Sequence, residues 1–174
     1  CAFGLLSYAQ STQERINTYF ESEYVHLGLS QEDFSDFEIK NEHSSSQFDI
    51  SYAYAHQRYE GVTIYNAIAN FAFNDNEMRM TGNRFISDIA SRINTTNATI
   101  SKRDAIYNAA LELGINVSSA VDIDKTKDDQ GNNVFVASEI SSELIPVSLC
   151  YTLDGEELKL AWDLSILNGN DWWS

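Results

Sequence analysis

Between residues 47 and 85 bulky and small or polar side chains alternate with a period of two, the pattern of half-buried β-strands. In the first run Phe48, Ile50, Tyr52 and Tyr54 fall on one face, and Asp49, Ser51, Ala53 and Ala55 on the other. In the second, Val62, Ile64, Asn66, Ile68 and Asn70 alternate with Thr63, Tyr65, Ala67, Ala69 and Phe71. β-branched and aromatic residues suit a pleated surface. Glu60-Gly61 separates the runs, and a glycine there permits the positive φ that tight hairpins require. Asn74-Asp75-Asn76 turns the chain again, into Met78 and Met80. The stretch predicts three or four antiparallel strands.

Helical spacing takes over on either side. Ser11 and Glu14 form a capping-box pattern, which predicts a helix over 12–27 with Ile16, Tyr19, Phe20 and Leu27 on its stripe and Gly28 as its stop. Ser30 and Asp33 repeat the capping pattern and predict one short turn, followed by a strand over 37–42. Residues 86–99 read as a polar seam where hydrophobic periodicity lapses. Ser101 and Asp104 then start a helix whose apolar face is Ala105, Ile106, Ala109, Ala110 and Leu113, and Gly114 ends it. Strands follow over 117–123 and 134–137, with a charged loop over 124–133 between them. Residues 144–153 and 158–167 form a hairpin around Asp154-Gly155, a strong turn dipeptide. The tetrapeptide Ile-Tyr-Asn-Ala occurs at 64–67 and at 106–109; it is placed in a strand the first time and in a helix the second, because context outvotes local propensity. Both halves run helix, then antiparallel sheet, which makes an α+β chain of two units, 10–90 and 91–174.

Composition narrows the partners. The net charge of -15 over 174 residues argues against nucleic acid and anionic membranes, whose phosphates would be repelled. The acidity serves solubility in a secreted protein, or complements a basic face on a partner. The single proline, Pro146, leaves no proline-rich linker, and no apolar run is long enough to span a bilayer. Residues 1–9 are apolar and end in Ser7-Tyr8-Ala9, matching the tail of a secretory signal peptide cleaved before Gln10. The rival reading makes Cys1 the lipid-bearing residue of a lipoprotein. With Cys1 set aside, Cys150 stands alone on an apolar strand and reads as a small buried hydrophobe. A secreted chain without a disulfide is held by its core.

The search for chemistry finds no catalytic constellation with correct spacing. No two of His26, His43 and His56 are four residues apart, and Ile39 stands where an inverted zinc motif ending at His43 needs histidine. A calcium loop begun at Asp124 meets Asp129 where glycine is needed and Phe135 where glutamate is needed. Gly28-Leu29-Ser30 lacks the second glycine of a nucleophile elbow. Glu156 and Glu157 flank a turn and face water. Asn94, Asn97 and Asn116 begin glycosylation sequons, which matter only in a eukaryotic secretory host. Trp172 and Trp173 are adjacent, so on a strand one packs on the core and the other is free to anchor a partner.

The order of several motifs carries a resemblance. His56-Gln57-Arg58-Tyr59-Glu60-Gly61-Val62, followed by Tyr65-Asn66-Ala67 and then Gly82-Asn83-Arg84-Phe85, resembles the propeptide signature of fungalysin-type secreted zinc metalloproteases, and more loosely that of thermolysin propeptides. Residues 101–113, Leu160-Ala161-Trp162-Asp163 and Trp172-Trp173 resemble the second, PepSY-like part of the same prosegment. The resemblance implies two cystatin-like units, each a helix packed on a curved antiparallel sheet. It also implies an intramolecular chaperone and inhibitor of a downstream catalytic domain, which is the expected partner and holds the expected zinc. Gln57, Tyr59, Gly61, Asn66 and Ala67 match the first motif, and Trp162, Asp163, Trp172 and Trp173 the second. The implied role of most is structural, with Trp172 and Trp173 as partner contacts. No catalytic residue, cofactor site or metal ligand is carried over to this chain, which is then read as a fragment of a longer secreted precursor. The polar stretch 128–133 has no match in the family. Two other readings stand beside this one. The first is a free-standing secreted cystatin-like inhibitor or binding module that wedges a hairpin tip, Glu60-Gly61 or Asp154-Gly155, into its target. The second is a small enzyme, which needs a buried acid or base.

Overall fold

A computed structural model describes residues 10–45, 47–118, 122–128, 133–169 and 171–174. The expected signal-peptide remnant and Cys1, and most of the unmatched polar stretch, lie outside these residues. The described chain is mixed helix and sheet, mostly sheet, with ten strands and three α-helices. It divides into two compact units, one ending at Arg92 and the other beginning at Ile93. Among the described residues no helix is long and apolar enough to cross a membrane.

The first unit starts with α1 (Thr12–Glu23). The Ser11 hydroxyl accepts from Glu14 N–H at 3.2 Å, and Glu14 Oε2 accepts from Ser11 N–H at 2.8 Å, so two orphan donors are satisfied reciprocally. Regular helix stops four residues short of the expected 27. The chain nonetheless keeps turning to Gly28, whose φ of 70° lets Leu29 N–H reach Tyr24 C=O and Gly28 N–H reach Val25 C=O. This is a Schellman closure, and its left-handed φ favours glycine. A 3-10 turn (Glu32–Phe34) leads to β1 (Phe37–Ser45), β2 (Ile50–Tyr59), β3 (Val62–Phe73), β4 (Met78–Asn83) and α2 (Ile89–Arg92). Each of these strands pairs antiparallel with the next.

The helix lays Ile16 and Phe20 onto the sheet, where they meet Phe34, Phe37, Ala53, Ala55, Ala69, Phe71 and Phe85. The core face of β2 is therefore the small face. Tyr52 and Tyr54 sit on the opposite, half-exposed side, where His43 stacks on them at 5.1 and 5.8 Å. Alanines in the sheet leave room for the phenylalanine rings that supply the volume of this layer. Phe48 and Asp49, read as part of the strand, belong instead to the turn before it, where Asp49 has φ 50° and Phe48 is exposed. Arg15 pins the helix to the β3–β4 turn. Its guanidinium donates to Asn74 C=O at 2.7 Å and lies 5.0 Å from the centre of the Phe73 ring.

The second unit is built from α3 (Lys102–Glu112), β5 (Asp124–Lys127), β6 (Asn133–Val136), β7 (Ile145–Asp154), β8 (Glu157–Leu164), β9 (Ile166–Asn168) and β10 (Asp171–Trp173). Ser101 and Asp104 form a second capping box. Gly114, at φ 71°, closes a second Schellman motif through Ile115 N–H to Ala110 C=O. Strands β5 to β8 pair antiparallel in order, and β9 and β10 form a separate hairpin. Ile106 and Ala110 of α3 pack with Phe135, Ile140, Ile145, Val147 and Ile166.

Three sequence expectations change here. The strand expected over 117–123 lies instead at β5, inside the stretch read as loop. Among its described residues 117, 118, 122 and 123 are not strand. Apart from the half-buried Thr126 the side chains of β5 are exposed, so its stability comes from its ladder to β6, and hydrophobic pattern carries no trace of that. The run 158–167 breaks at Ser165 into β8 and β9. The seam 86–99 contains α2, whose Ile89 is buried.

Candidate functional site

The first motif contains one buried amide, Gln57. Gln57 is 0% exposed; its Nε2 donates to the carbonyls of Asp33 and Ile86, each at 2.8 Å, and its Oε1 accepts from Ile86 N–H at 2.8 Å. Asp33, also buried, accepts through Oδ2 from Ser30 N–H and Oγ at 2.7 and 2.9 Å, and through Oδ1 from Ile89 N–H at 2.9 Å. Two side chains thus satisfy the backbone of the 3-10 turn and of the approach to α2, which would otherwise be buried without partners. The Ser30–Asp33 pair is visible as a local capping pattern. The links to Ile86 and Ile89 are not, because they join residues 29 and 56 positions apart.

Gly61 and Glu60 form the two-residue loop between β2 and β3, both with positive φ, 82° and 47°, as a type I′ turn requires. Gly61 N–H donates to Asp36 Oδ2 at 2.8 Å, and Asp36 also pairs with Arg58 Nε at 3.3 Å. Tyr59 is half-buried beside this loop. Asn66 has φ 59° within a bulge bracketed by the pairs Arg58↔Thr63 and His56↔Ile68. The bulge interrupts alternation, so Ile64 and Ala67, three residues apart, are both buried. Asn66 itself is exposed, which isolates its backbone role. Asn66→Val is expected to lower stability by about 1–2 kcal/mol, while Asn66→Gly stays near neutral, in urea melts. Equal stability of the valine and glycine variants would contradict the role given to the bulge.

Trp162, Asp163 and Trp173 of the second motif line a groove in the second unit, a cavity of about 440 Å³ between α3 and β8, which Trp172 does not reach. Ala105, Ala109 and Leu113 form one wall, and Trp162, Leu164 and Trp173 the other. Asn108, Glu112 and Asp163 supply its polar rim. The Trp162 indole N–H donates to Ile100 C=O at 3.2 Å, and Lys102 Nζ lies 5.6 Å from the ring centre. Lys102 also donates to Val147 C=O at 3.4 Å. Ala109 and Leu113, on the expected apolar face of α3, are half-buried. The expectation for the tryptophan pair also changes. Trp172 is 62% exposed and Trp173 46%, so neither packs on the core. Among the described residues strand β10 pairs with no strand but the three-residue β9, and all three of its residues are exposed.

The remaining titratable groups offer little chemistry. Among the described residues no three His, Cys, Asp or Glu side chains gather as a metal would require. Burial, then the Asp163 carboxylate, pushes the Cys150 thiol up, so it stays protonated as a small hydrophobe. Lys159 hydrogen-bonds and pairs with Asp154 across the β7–β8 turn, which lowers the Asp154 carboxyl and raises the Lys159 ammonium. Burial lowers His56, helped by Lys40 and opposed by Glu38. A depressed imidazole means that the unfolded chain binds the proton more readily. Stability is therefore full above about pH 6.5 and declines as pH falls through the unfolded and then the folded pKa. His56→Gln should remove part of the acid-side loss between about pH 7 and 5 in urea melts. An unchanged pH profile would assign the loss to other groups. No protein-family model matches the chain, and no curated protein matches it either.

Proposed function

We propose that the chain is the N-terminal prosegment of a secreted zinc metalloendopeptidase, acting as intramolecular chaperone and inhibitor of its catalytic domain, with the two units as cystatin-like modules. The observation that carries this reading is that the residues of the first motif have structural roles along the β2–β3 hairpin. Gln57, Gly61, Asn66 and Ala67, which carry the fungalysin resemblance in sequence, each have a specific backbone or packing role within one hairpin. The reading rests on motif order and on these local roles, not on a family-level match. A helix against an antiparallel sheet in each unit supports the cystatin-like assignment. In this reading zinc belongs to the catalytic domain, and no residue of this chain is given a step in its chemistry.

The physics of such a prosegment is one of effective concentration. A covalent link makes docking intramolecular, so a modest interface stays occupied until the link is cut. The exposed tryptophans Trp172 and Trp173 are the natural contact points. The test is to titrate the isolated chain against a mature fungalysin-type endopeptidase and to follow refolding of the denatured enzyme with and without it. Inhibition together with a raised refolding yield is the expected result; absence of both effects would overturn the proposal. Reading the coding sequence downstream for a His-Glu-x-x-His helix is an independent check. A free-standing inhibitor is the second reading, favoured by two exposed, tightly turned hairpin tips, one at Glu60–Gly61 and the other at Gly155–Glu156 in place of the expected Asp154–Gly155, because Asp154 pairs with Glu157 as the last residue of β7. Inhibition of cysteine peptidases but not of the metalloendopeptidase would select it.

A further inference from the structure

Strand β8 has one paired edge and one that is only partly covered. It pairs with β7 in unbroken register, from Asp154↔Glu157 to Val147↔Leu164. On its other edge Leu158 C=O accepts from Asn94 N–H at 3.1 Å, and Leu160 N–H donates to Asn94 Oδ1 at 3.0 Å. In an antiparallel strand both backbone groups of a residue point to the same edge, and successive residues to opposite edges. Because the ladder has no bulge, the N–H and C=O of Trp162 and Leu164 point the same way as those of Leu158 and Leu160. Among the described residues no strand other than β7 pairs with β8. Residues 97–100 line a small cavity with Leu160 and Trp162, and past Leu160 no described strand pairs with this edge beside the groove.

The chemistry around that edge selects an occupant. An added strand would gain main-chain hydrogen bonds from Trp162 and Leu164, and alternate side chains would fall over the groove. The cavity of about 440 Å³ has walls of alanine, leucine and tryptophan, which suit apolar side chains. Its charged lining, Glu112 and Asp163, is acidic. The neighbouring cation Lys102 is turned onto the Trp162 ring and Val147 C=O. The whole chain carries a net charge of -15, so a second copy meets like charge. We propose that the open edge of β8 at Trp162 and Leu164, with the groove beside it, takes up an extended basic peptide segment as an added strand, apolar at alternate positions. The inference does not depend on the prosegment reading.

The probe is a fluorescein-labelled peptide of about seven residues, the length of an ordinary strand, alternating Lys or Arg with Val or Leu. It is titrated into the full chain, following anisotropy and amide hydrogen exchange. Saturable, salt-weakened binding is expected, with exchange at Trp162 and Leu164 slowed at least about tenfold. N-methylation along the peptide's bonding edge should weaken binding by about tenfold or more, the worth of one or two lost hydrogen bonds. A glutamate-for-lysine peptide should not bind, and Ala109→Phe, which fills the groove, should abolish binding of the basic peptide. Should that variant fail to fold, the N-methyl comparison on the unaltered chain decides. Absence of binding, equal binding of the N-methylated or acidic peptide, or protection elsewhere would overturn the inference. So would protection at Trp162 and Leu164 that grows with protein concentration alone, the mark of a second copy. A chain that inhibits the endopeptidase yet leaves these amides unprotected keeps the proposed function and loses this inference.

Discussion

Phe20→Ala is expected to cost about 3–5 kcal/mol, a large share of the roughly 5–15 kcal/mol that holds a typical domain together. Phe20 is fully buried at the hub of the first unit. Its ring stacks on Phe34 and Phe85 at 5.3 and 5.0 Å, meets Phe71 edge-on at 5.7 Å, and lies 5.8 Å from Phe37. Truncation removes the transfer energy of the ring and leaves a cavity that several other rings must line without contact. The neighbouring sheet residues Ala53, Ala55 and Ala69 are too small to fill it. Urea unfolding of the first unit should show a lower midpoint with an unchanged m-value. Val25→Ala, at a position 70% exposed, should move the midpoint little and serves as the control. A Phe20→Ala loss below about 1 kcal/mol would mean that the layer collapses around the gap, contrary to the packing described.

Gln57→Leu is the second large effect, and it works by a different route. Leucine is similar in volume but leaves the carbonyls of Asp33 and Ile86 and the N–H of Ile86 without their partner. The Asp33 bond is buried and the two Ile86 bonds part-buried, so at about 1–3 kcal/mol for a fully buried group left unsatisfied the total is on the order of 3 kcal/mol. Gln57→Glu separates polarity from geometry. A carboxylate there would face two carbonyl oxygens in a fully buried position, which raises its folded pKa above the usual carboxylate range near about 4.3. The sign follows directly: the folded state holds the proton more tightly, so the variant is most stable below that pH and loses stability as pH rises through the folded pKa. Measured against the unaltered chain, the deficit of Gln57→Glu should widen from pH 4 to pH 7, while that of Gln57→Leu stays constant. A pH-independent deficit for the glutamate variant would show that water reaches the site.

Much of the local structure was legible in the residues. Both helix starts follow from capping boxes, Ser11 with Glu14 and Ser101 with Asp104. The stops at Gly28 and Gly114 and the turns at Gly61 and Gly155 follow from positive φ. These features rest on interactions among residues a few positions apart, so local chemistry determines them. The candidate groove was legible only in part. Trp162, Asp163 and Trp173 were singled out, whereas Asn108, Glu112 and Ile100 carry no signal until α3 is placed against β8.

What the sequence could not determine is decided by contacts distant along the chain. Whether the tyrosine face or the alanine face of β2 meets the core depends on α1, whose aromatic rings need the room that alanine leaves. β5 forms although its pattern is polar, because β6 offers it a ladder. The repeated Ile-Tyr-Asn-Ala makes the point at residue level. At 106–109 it continues a capped helix, while at 64–67 the same four residues form a strand bulge with Asn66 at φ 59°. In both copies the isoleucine is fully buried. Burial of that side chain is written in the residues; the backbone that delivers it is chosen by the surface it packs against, since tertiary burial outweighs the small differences in local propensity.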